Sequence, residues 1–280
     1  MIEQMKDDYP IERLCEVLDC PRSSYYYQPS EGNDQVLTDA IERILGRWPF
    51  YGYRRVTAQL KREGMPVNSK AVRRVMHQIG HSGKVGQVKA PVTTQSKHSL
   101  PRYPNLIRER EATHPDEIWI ADITYIQLGS RFIYLAVILD MFTRAVRGWH
   151  LGRTLSQSLS ITALNKALAH GQPEIHHSDQ GVQYAATNYV ARLTQEEVQV
   201  SMSDPGQPTQ NAYAERFMRT FKEEHFDYTE YADFDDAYCQ IEHWIEVEYT
   251  TERIHSSLDY LTPSEFEAAY HSRVNLLISP

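Results

Sequence analysis

Apolar residues recur every three or four positions through roughly the first 80 residues, which predicts helices in this part of the chain. Residues 10–27 predict a short pair of helices, separated where residues 19–21 break the apolar repeat. Residues 34–48 predict a longer helix with one apolar face. The N-terminal part of the chain is therefore expected to be all-α.

Two further helices are predicted where short apolar repeats meet turn residues. The first, residues 53–62, ends before Gly64, and glycine is the usual residue type just past a helix C-terminus. The second, residues 70–79, follows a turn and is expected to be capped by Ser69. Two helices joined by a short turn, the second of them basic, are typical of a helix-turn-helix that places its second helix in the DNA major groove. A generic basic helical hairpin is the alternative.

Beyond residue 110 the pattern changes from helical to strand. Residues 118–126 and 132–139 are rich in β-branched and aromatic residues and predict a hairpin, and a third strand fits residues 145–150. Helices and strands are then expected to alternate at residues 157–169, 174–177, 184–193 and 198–201. Three antiparallel strands followed by this alternation predict an α/β fold with a mixed five-stranded sheet flanked by helices.

Between these two parts lies a segment rich in Gly, Ser, Thr and Pro that has no apolar period. Such a composition is typical of a linker. The predicted organisation is therefore a helical DNA-binding region at residues 1–80, a linker at 81–110, and an α/β domain with a helical C-terminal tail at 111–280.

The net charge of −8 hides an asymmetry between the two parts. Residues 1–110 carry 18 Lys and Arg against 12 Asp and Glu, whereas residues 111–280 carry 11 against 25. Residues 43–110 alone hold 15 basic residues and two acidic ones. A basic block of this kind is the electrostatic footprint of a phosphate-binding segment, and it favours DNA over the generic hairpin. The candidate DNA contacts on the two helices are Arg54, Arg55, Lys70, Arg73 and Arg74.

No run of apolar residues approaches the eighteen that span a membrane, and the N-terminus lacks the pattern of a signal peptide. The three cysteines form an odd and sparse set, which is typical of a reducing compartment rather than of a disulfide framework. The sequence therefore predicts a soluble cytoplasmic protein without a membrane partner.

Three acidic residues occupy positions from which they can converge. Asp122 lies within the first predicted strand, where a buried acid needs a partner or a metal. Asp179 ends the fourth strand, at the edge where α/β sheets place their sites. Glu215 opens an amphipathic helix that carries Arg219 and Lys222 on the same face. Considered alone, the helix is expected to carry a row of exposed salt bridges between Glu215, Arg219 and Lys222. The two upstream acids instead favour a site for two Mg²⁺ or Mn²⁺ ions.

Five segments of the sequence can be compared with the motifs of a known protein family. They are Trp119-Ile-Ala-Asp122-Ile-Thr-Tyr125, Tyr134-Leu-Ala-Val-Ile-Leu-Asp140, His176-His-Ser-Asp179-Gln-Gly-Val-Gln-Tyr184, Asn211-Ala-Tyr-Ala-Glu215-Arg-Phe217 and His255-Ser-Ser-Leu-Asp-Tyr-Leu-Thr-Pro263. Together they resemble the OrfB-type transposases of the IS-three insertion-sequence family. The segment from residue 51 to 76 resembles the helix-turn-helix of the same family, so the resemblance covers nearly the whole chain.

The resemblance implies an RNase H-like integrase catalytic core, in which Asp122, Asp179 and Glu215 form a DDE triad that binds two magnesium ions. Water would cleave the phosphodiester at an element end, and the freed 3′-hydroxyl would attack another DNA strand. Asn211, Arg219 and Lys222 are the candidate DNA contacts around the triad.

The resemblance also implies partners. These are the terminal inverted repeats of the element, target DNA, further copies of the chain on that DNA, and an upstream OrfA product that acts separately or as a frameshift fusion. The protein would be nucleoid-associated when bound to DNA.

Several positions leave alternatives open. Gln207 and Gln210 stand in the loop before Glu215 where the family usually has an asparagine and an aspartate, which leaves the contacts of that loop undetermined. His176 and His177 are expected to pack or position neighbours rather than bind metal, and Asp140 is expected to be structural. The functional alternatives are a non-catalytic DNA-binding protein derived from a transposase, and a metal-dependent nuclease that does not join strands.

Overall fold

The structure, a computed structural model, describes residues 2–26, 34–81, 100–108, 110–204 and 207–278. Residues 2–81 form a helical region, and residues 100–278 form a sheet region with helices on both faces. This confirms the predicted fold class. Most of the predicted linker, residues 82–99, lies outside the described residues.

The described residues of the helical region form six helices: α1 (Ile2–Met5), α2 (Ile11–Val17), α3 (Arg22–Tyr25), α4 (Asp34–Arg47), α5 (Tyr53–Arg62) and α6 (Ser69–Gln78). The last three share a core that includes Ile41, Leu60 and Val72. After α5 the chain turns at Gly64 with φ of +83°, a left-handed conformation that glycine adopts without strain. Two helices and a short turn therefore form as predicted.

The N-cap of α6 differs from the prediction by one residue. Asn68 is the cap, because its side chain accepts a hydrogen bond from the backbone N–H of Lys70 at 2.9 Å. Ser69 is instead the first helical residue. Asn and Ser are about equally good caps, so residue type alone does not distinguish the two positions.

Five strands form the sheet within the described part of residues 100–278: β1 (Ile118–Leu128), β2 (Arg131–Asp140), β3 (Val146–Gly152), β4 (Ile175–Ser178) and β5 (Gln199–Met202). Their order across the sheet is β3-β2-β1-β4-β5. The pairs β1–β2 and β2–β3 are antiparallel, whereas β1–β4 and β4–β5 are parallel. A central β1 with a hairpin on one side and parallel strands on the other is the mixed sheet of an RNase H-like fold.

Helices cover both faces of the sheet. On one face lie α7 (Gln157–Leu168) and α8 (Thr187–Gln195). On the other lie α9 (Ala212–Glu224), α10 (Phe234–His243) and its π-helical continuation Trp244–Glu252, and α11 (Pro263–Ile278) is the last helix of the described residues. The close packing of α7 depends on Gly148 of β3, where a Cβ would lie 2.4 Å from the carbonyl oxygen of Ala163. Any larger residue at 148 would push the helix away from the sheet.

Residues 100–108 already pack on the sheet region. Ile107 is buried in the core that α9 covers, and the backbone N–H of Leu106 donates to the Ser201 hydroxyl at 2.9 Å. The chain therefore joins the sheet region before residue 111, where the α/β domain was predicted to start.

The helical region packs directly against the C-terminal part of the sheet region, a contact that the sequence did not predict. Ile254 is buried in the core of the helical region, and its backbone N–H donates to the Tyr51 hydroxyl at 3.1 Å. Ion pairs surround this contact: Arg47 with Glu252, Arg55 with Glu224, and Arg62 with Glu265. Apolar burial and charge pairing together hold the two regions in one arrangement.

Candidate active site

The register of the central strands brings Asp122 and Asp179 together. Ala121 of β1 pairs with Ser178, the last residue of β4, in a parallel ladder, and the residue that follows each of them in the chain is one of the two aspartates. Neighbouring strands lie about 4.8 Å apart, which makes the two carboxylates side-by-side neighbours. Both aspartates are half-buried.

The turn after β4 fixes the orientation of Asp179. Its Oδ1 accepts a hydrogen bond from the backbone N–H of Gly181 at 2.9 Å. A Cβ at position 181 would lie 2.9 Å from that same Oδ1. A residue larger than glycine at position 181 would therefore displace the carboxylate from this orientation.

The third acid, Glu215, is exposed in the first turn of α9. The start of this helix is tied to β1, because the side-chain amide of Asn211 donates to the carbonyl oxygen of Ala121 at 3.2 Å. That carbonyl belongs to the residue just before Asp122. Glu215 follows Asn211 by four residues, about one helical turn, and so projects from the same side of the helix.

The charges of the three acids affect one another. Burial, the charge of Asp179 and, to a smaller extent, that of Glu215 raise the pKa of Asp122 to about 8. Burial also raises the pKa of Glu215, and Arg219 opposes that shift. Two neighbouring carboxylates and partial desolvation thus disfavour the charged form of Asp122.

This set of side chains fits a divalent cation in its chemistry. The ligand atoms would be carboxylate oxygens, the hard donors that Mg²⁺ and Mn²⁺ take, and a cation would offset the repulsion between the three charges. Asn211 Oδ1 is a further buried oxygen that has no hydrogen-bond partner within the described chain. Among the described residues no group of three or more His, Cys, Asp or Glu side chains is placed so that it could hold a metal ion.

Arg219 and Lys222 lie on α9 with Glu215, as the helical spacing predicts. Arg219 is exposed, whereas Lys222 is half-buried with its Nζ 4.8 Å from the centre of the Tyr125 ring. Burial lowers the pKa of Lys222, and the charge of Asp122 opposes that shift. The lysine is therefore close to the acidic cluster and is held by an aromatic ring of β1.

Asn211 was predicted from the sequence to contact DNA, but in the structure it lies below the surface. Its side chain is only 4% exposed and is used for the hydrogen bond to Ala121. In this structure it connects α9 to β1 and does not face solvent.

The five candidate DNA contacts of the helical region fall into two groups, exposed residues and residues paired with carboxylates. Arg54, Lys70 and Arg73 are exposed. The guanidinium groups of Arg54 and Arg73 lie 5.3 and 5.6 Å from the centre of the same Tyr53 ring, which joins α5 and α6 into one basic surface. These three side chains are available to a DNA backbone.

The other two candidates are bound within the protein. Arg55 is half-buried and pairs with Glu224 of α9 at 3.1 Å, and Arg74 forms two hydrogen bonds of 2.8 Å to Asp34. A nucleic acid would have to displace these carboxylates to reach either guanidinium.

Hydrogen bonds of Gln210, one of the two residues that depart from the family pattern, hold the loop before Glu215 in place. Its Oε1 accepts from Asn105 Nδ2 at 2.8 Å and from the backbone N–H of Asp204 at 2.6 Å, while its Nε2 donates to Asp204 Oδ2 at 2.9 Å. An aspartate there could not donate to Asp204 and would add a second negative charge. Gln207 is exposed. Sequence reasoning missed this role because Asn105 belongs to the segment assigned to the linker.

The two histidines beside Asp179 have partners within the core. His176 Nε2 lies 3.0 Å from the Tyr189 hydroxyl, and the ring of His177 lies 2.8 and 3.0 Å from the hydroxyls of Ser201 and Ser203. Burial lowers the pKa of His176 to about 3 and that of His177 to about 4. The expected packing role of both residues is confirmed.

Asp140 is likewise structural, as expected. Its carboxylate accepts hydrogen bonds of 2.6 to 2.8 Å from the backbone N–H groups of Asp116, Phe142 and Thr143. These bonds shape the turn between β2 and β3 and leave the residue 1% exposed.

Three family models match the chain. An integrase core domain matches residues 112–208, a second integrase core domain matches residues 196–263, and an HTH-like domain matches residues 31–87. In addition, no helix among the described residues is long and apolar enough to cross a membrane.

Similar proteins include transposases of bacterial insertion sequences. A transposase for insertion sequence element IS904 of Lactococcus lactis subsp. lactis (strain IL1403) is 36% identical and covers 83% of this chain and 94% of its own length. The transposase InsF for insertion sequence IS3A of Escherichia coli (strain K12) is 30% identical and covers 95% and 96%.

Among solved structures, the HTLV-2 integrase catalytic core domain in complex with magnesium is 16% identical, covers 55% of this chain and 97% of that chain, and has a TM-score of 0.43. The simian T-cell lymphotropic virus intasome in complex with a PP2A regulatory subunit is 20% identical, covers 75% and 70%, and has a TM-score of 0.47.

Proposed function

The chain belongs to the insertion-sequence transposases that carry an integrase core domain, and we propose that Asp122, Asp179 and Glu215 are the carboxylates on which its DNA transposition depends. The observation that carries this assignment is the convergence of three elements. The β1–β4 register makes the two aspartates neighbours, and the Asn211 bond to Ala121 brings the start of α9 to the same point.

Two magnesium or manganese ions would be held by these three carboxylates. When bound, such ions supply Lewis-acid activation of the attacking oxygen and charge stabilisation of the leaving oxygen in a phosphodiester displacement. Asp122 is half-buried, while the exposed Glu215 leaves one side of the cluster open to DNA.

The proposed reaction has two steps at this one site. Hydrolysis of a phosphodiester at an element end frees a 3′-hydroxyl, which then attacks a phosphodiester of a second DNA strand and displaces its 3′ oxygen. Arg219 and Lys222 would bind phosphates of the DNA end against Glu215. The Tyr125 ring limits the conformations of Lys222, which reduces the entropy lost on binding.

Recognition of the element ends is assigned to the helical region. Arg54, Lys70 and Arg73 form the exposed basic surface of α5 and α6, and α6 is the helix that would enter the major groove. Each chain carries one set of three carboxylates whereas an element has two ends, so we propose that two or more copies assemble on DNA. Association or fusion with an upstream OrfA product stays a prediction.

The experiment is cleavage and joining of labelled duplexes that carry the element ends, with Mg²⁺. We expect Asp122→Asn, Asp179→Asn and Glu215→Gln each to lower the cleavage rate at least about a thousandfold, a barrier increase of about 4 kcal/mol. DNA affinity without metal should stay close to that of the unchanged protein. Glu223→Gln, on the same helix but outside the cluster, is the matched control and should cleave normally.

The products also separate the alternatives. Joined strands support a transposase, cleavage without joining indicates a nuclease, and DNA binding without either reaction indicates a non-catalytic DNA-binding protein. Normal cleavage by any one of the three variants removes that residue from the proposed set.

A further inference from the structure

A second polar site lies on another face of α9. A cavity of about 420 Å³ is enclosed by α9, the turn after β2, and the segment that follows the π-helical turn. Four arginines line it, Arg55, Arg144, Arg216 and Arg253, together with the hydroxyl-bearing pair Ser256 and Ser257. None of these residues belongs to the carboxylate cluster.

The positive charge of this cavity exceeds the negative charge available to it. Glu224 serves two of the arginines, binding Arg253 at 2.5 and 2.6 Å and Arg55 at 3.1 Å. The acid in the lining itself, Asp140, is occupied by backbone N–H groups and by Arg147.

Arg144 and Arg216 remain without a carboxylate. Within the described part of the chain, neither forms an ion pair, although both line the cavity. Two uncompensated guanidinium groups at one cavity form a site for an anion.

Arg144 is held in place before any ligand arrives. Its guanidinium lies 4.0 Å from the centre of the Tyr213 ring, and its Nη1 donates to the carbonyl oxygen of Met141. The residue also has φ of +63°, a left-handed conformation that is unusual for an arginine and that commonly marks functional positions. Stacking and the backbone bond leave the other N–H groups of the guanidinium for a ligand.

The lowered pKa of His255 reflects how closely the arginines converge. Burial comes first among the causes that lower its pKa to about 2, followed by the charges of Arg253, Arg55, Arg144 and Arg216. The same four guanidinium groups that line the cavity therefore act on one ring.

We infer that this cavity binds a phosphoryl group through Arg144 and Arg216. Guanidinium groups match the geometry of a phosphate with paired hydrogen bonds, and the two serine hydroxyls can donate further ones. Arg216 directly follows Glu215, so its side chain projects about 100° further around α9. This rests on the proposed function, and it identifies the ligand as a backbone phosphate of the DNA whose reacting bond lies at Glu215.

The test measures DNA binding without metal, so that it does not depend on catalysis. The variants are Arg144→Gln, Arg216→Gln and the double variant, with Arg273→Gln, an exposed arginine of α11, as the matched control. Arg144→Lys and Arg216→Lys test whether charge alone is sufficient. We expect about a tenfold weaker binding of an element-end duplex by each Gln variant. The slope of the logarithm of the binding constant against the logarithm of the salt concentration should become shallower by about 0.9 for each phosphate that the protein no longer binds.

Several outcomes would overturn the inference. One is unchanged affinity and an unchanged salt dependence in the folded double variant, with circular dichroism and the unfolding midpoint as checks of folding. A second arm titrates inorganic phosphate: if phosphate raises the unfolding midpoint of the unchanged protein but not of the double variant, while duplex binding is the same in both, the cavity takes free phosphate and not DNA. Weaker duplex binding by the double variant supports the inference even if the unchanged protein fails to cleave DNA, so the two proposals fail separately.

Discussion

The helical region and the sheet region use their arginines differently. In the helical region Arg54 and Arg73 are exposed and lie over one tyrosine ring. In the sheet region Arg147 and Arg253 are largely buried and are bound by carboxylates, Arg147 by Glu267 at 2.7 Å and Arg253 by Glu224. The first arrangement is available for binding a polyanion, and the second stabilises the fold.

At the contact between the two regions, arginines of the helical region are also bound by carboxylates. Three arginines from the basic part of the sequence, Arg47, Arg55 and Arg62, pair with acids of the sheet region. Arg43 and Arg74 pair inside the helical region. Among the described residues only Arg54, Lys61, Lys70 and Arg73 of the block from 43 to 81 lack an acidic partner. A count of charges in the sequence therefore overestimates the charge that faces DNA.

The largest expected effect comes from the buried pair between the regions. Glu224→Gln leaves Arg253 and Arg55 close together in a buried setting with no carboxylate between them. We expect a loss of about 3–5 kcal/mol in the free energy of unfolding, measured by urea denaturation. Glu252→Gln removes a partly exposed pair with Arg47 and should cost about 1 kcal/mol or less. Equal losses in the two variants would mean that burial does not distinguish these contacts.

Acid should destabilise the sheet region selectively, because its buried histidines have no counterpart among the described residues of the helical region. His225 packs against Trp244, Phe221 and Tyr231 and faces His243; burial, then His243, lowers its pKa to about 4. Its folded pKa lies below the unfolded value of about 6.5, so the unfolded chain binds more protons between these values and stability falls as pH drops through that window. The total loss is on the order of 3 kcal/mol.

The measurement is urea denaturation from pH 8 to pH 4, and the comparison is between two variants. His225→Phe should reduce the pH dependence of the unfolding free energy by the contribution of this one histidine, since His176 and His177 are also buried with lowered pKa. His77→Gln, which replaces an exposed residue of α6, should leave it unchanged. A His225→Phe protein with the same pH slope as the unchanged protein would show that other groups cause the acid sensitivity.

The exposed arginines of the helical region should matter for DNA and not for stability. Arg54 and Arg73 are replaced together by Gln. The slope of the logarithm of the duplex-binding constant against the logarithm of the salt concentration should then become shallower by about 2, since each bound phosphate contributes about 0.9. Arg43→Gln, which removes a cation already paired with Glu63, should change it little. Titration of a fluorescent element-end duplex at several salt concentrations measures both. If Arg43→Gln has the larger effect, the DNA-binding surface has been assigned to the wrong face.

Much of the fold could be predicted from local patterns. The period of apolar residues predicted α5 to the residue. Runs of β-branched and aromatic residues predicted the first two strands, and the expected alternation placed the other three within a few residues. The sequence also suggested that Asp122 and Asp179 can converge, because it placed Asp122 within the first strand and Asp179 at the end of the fourth strand, where α/β sheets place their sites. The register that makes them neighbours is seen only in the structure.

Contacts between distant segments could not be predicted in the same way. Arg55 and Arg54 are adjacent in sequence and chemically identical, yet one pairs with Glu224 and the other faces solvent. The side chain of Asn211 points inward because the carbonyl of Ala121 lies there, and Gln210 is fixed by Asn105. A single sequence carries no information on which partner a polar side chain meets across the fold.

The smallest expected effect is confined to the helical region and separates two adjacent positions at the start of α6. Asn68→Ala removes the side-chain oxygen that accepts the Lys70 N–H and should cost about 1 kcal/mol of unfolding free energy. Ser69→Ala changes the first helical residue, where alanine is a good helix former, and should be close to neutral. Urea denaturation followed by circular dichroism compares the two variants directly. The reverse order of losses would return the cap to Ser69, the residue that the sequence pattern favours.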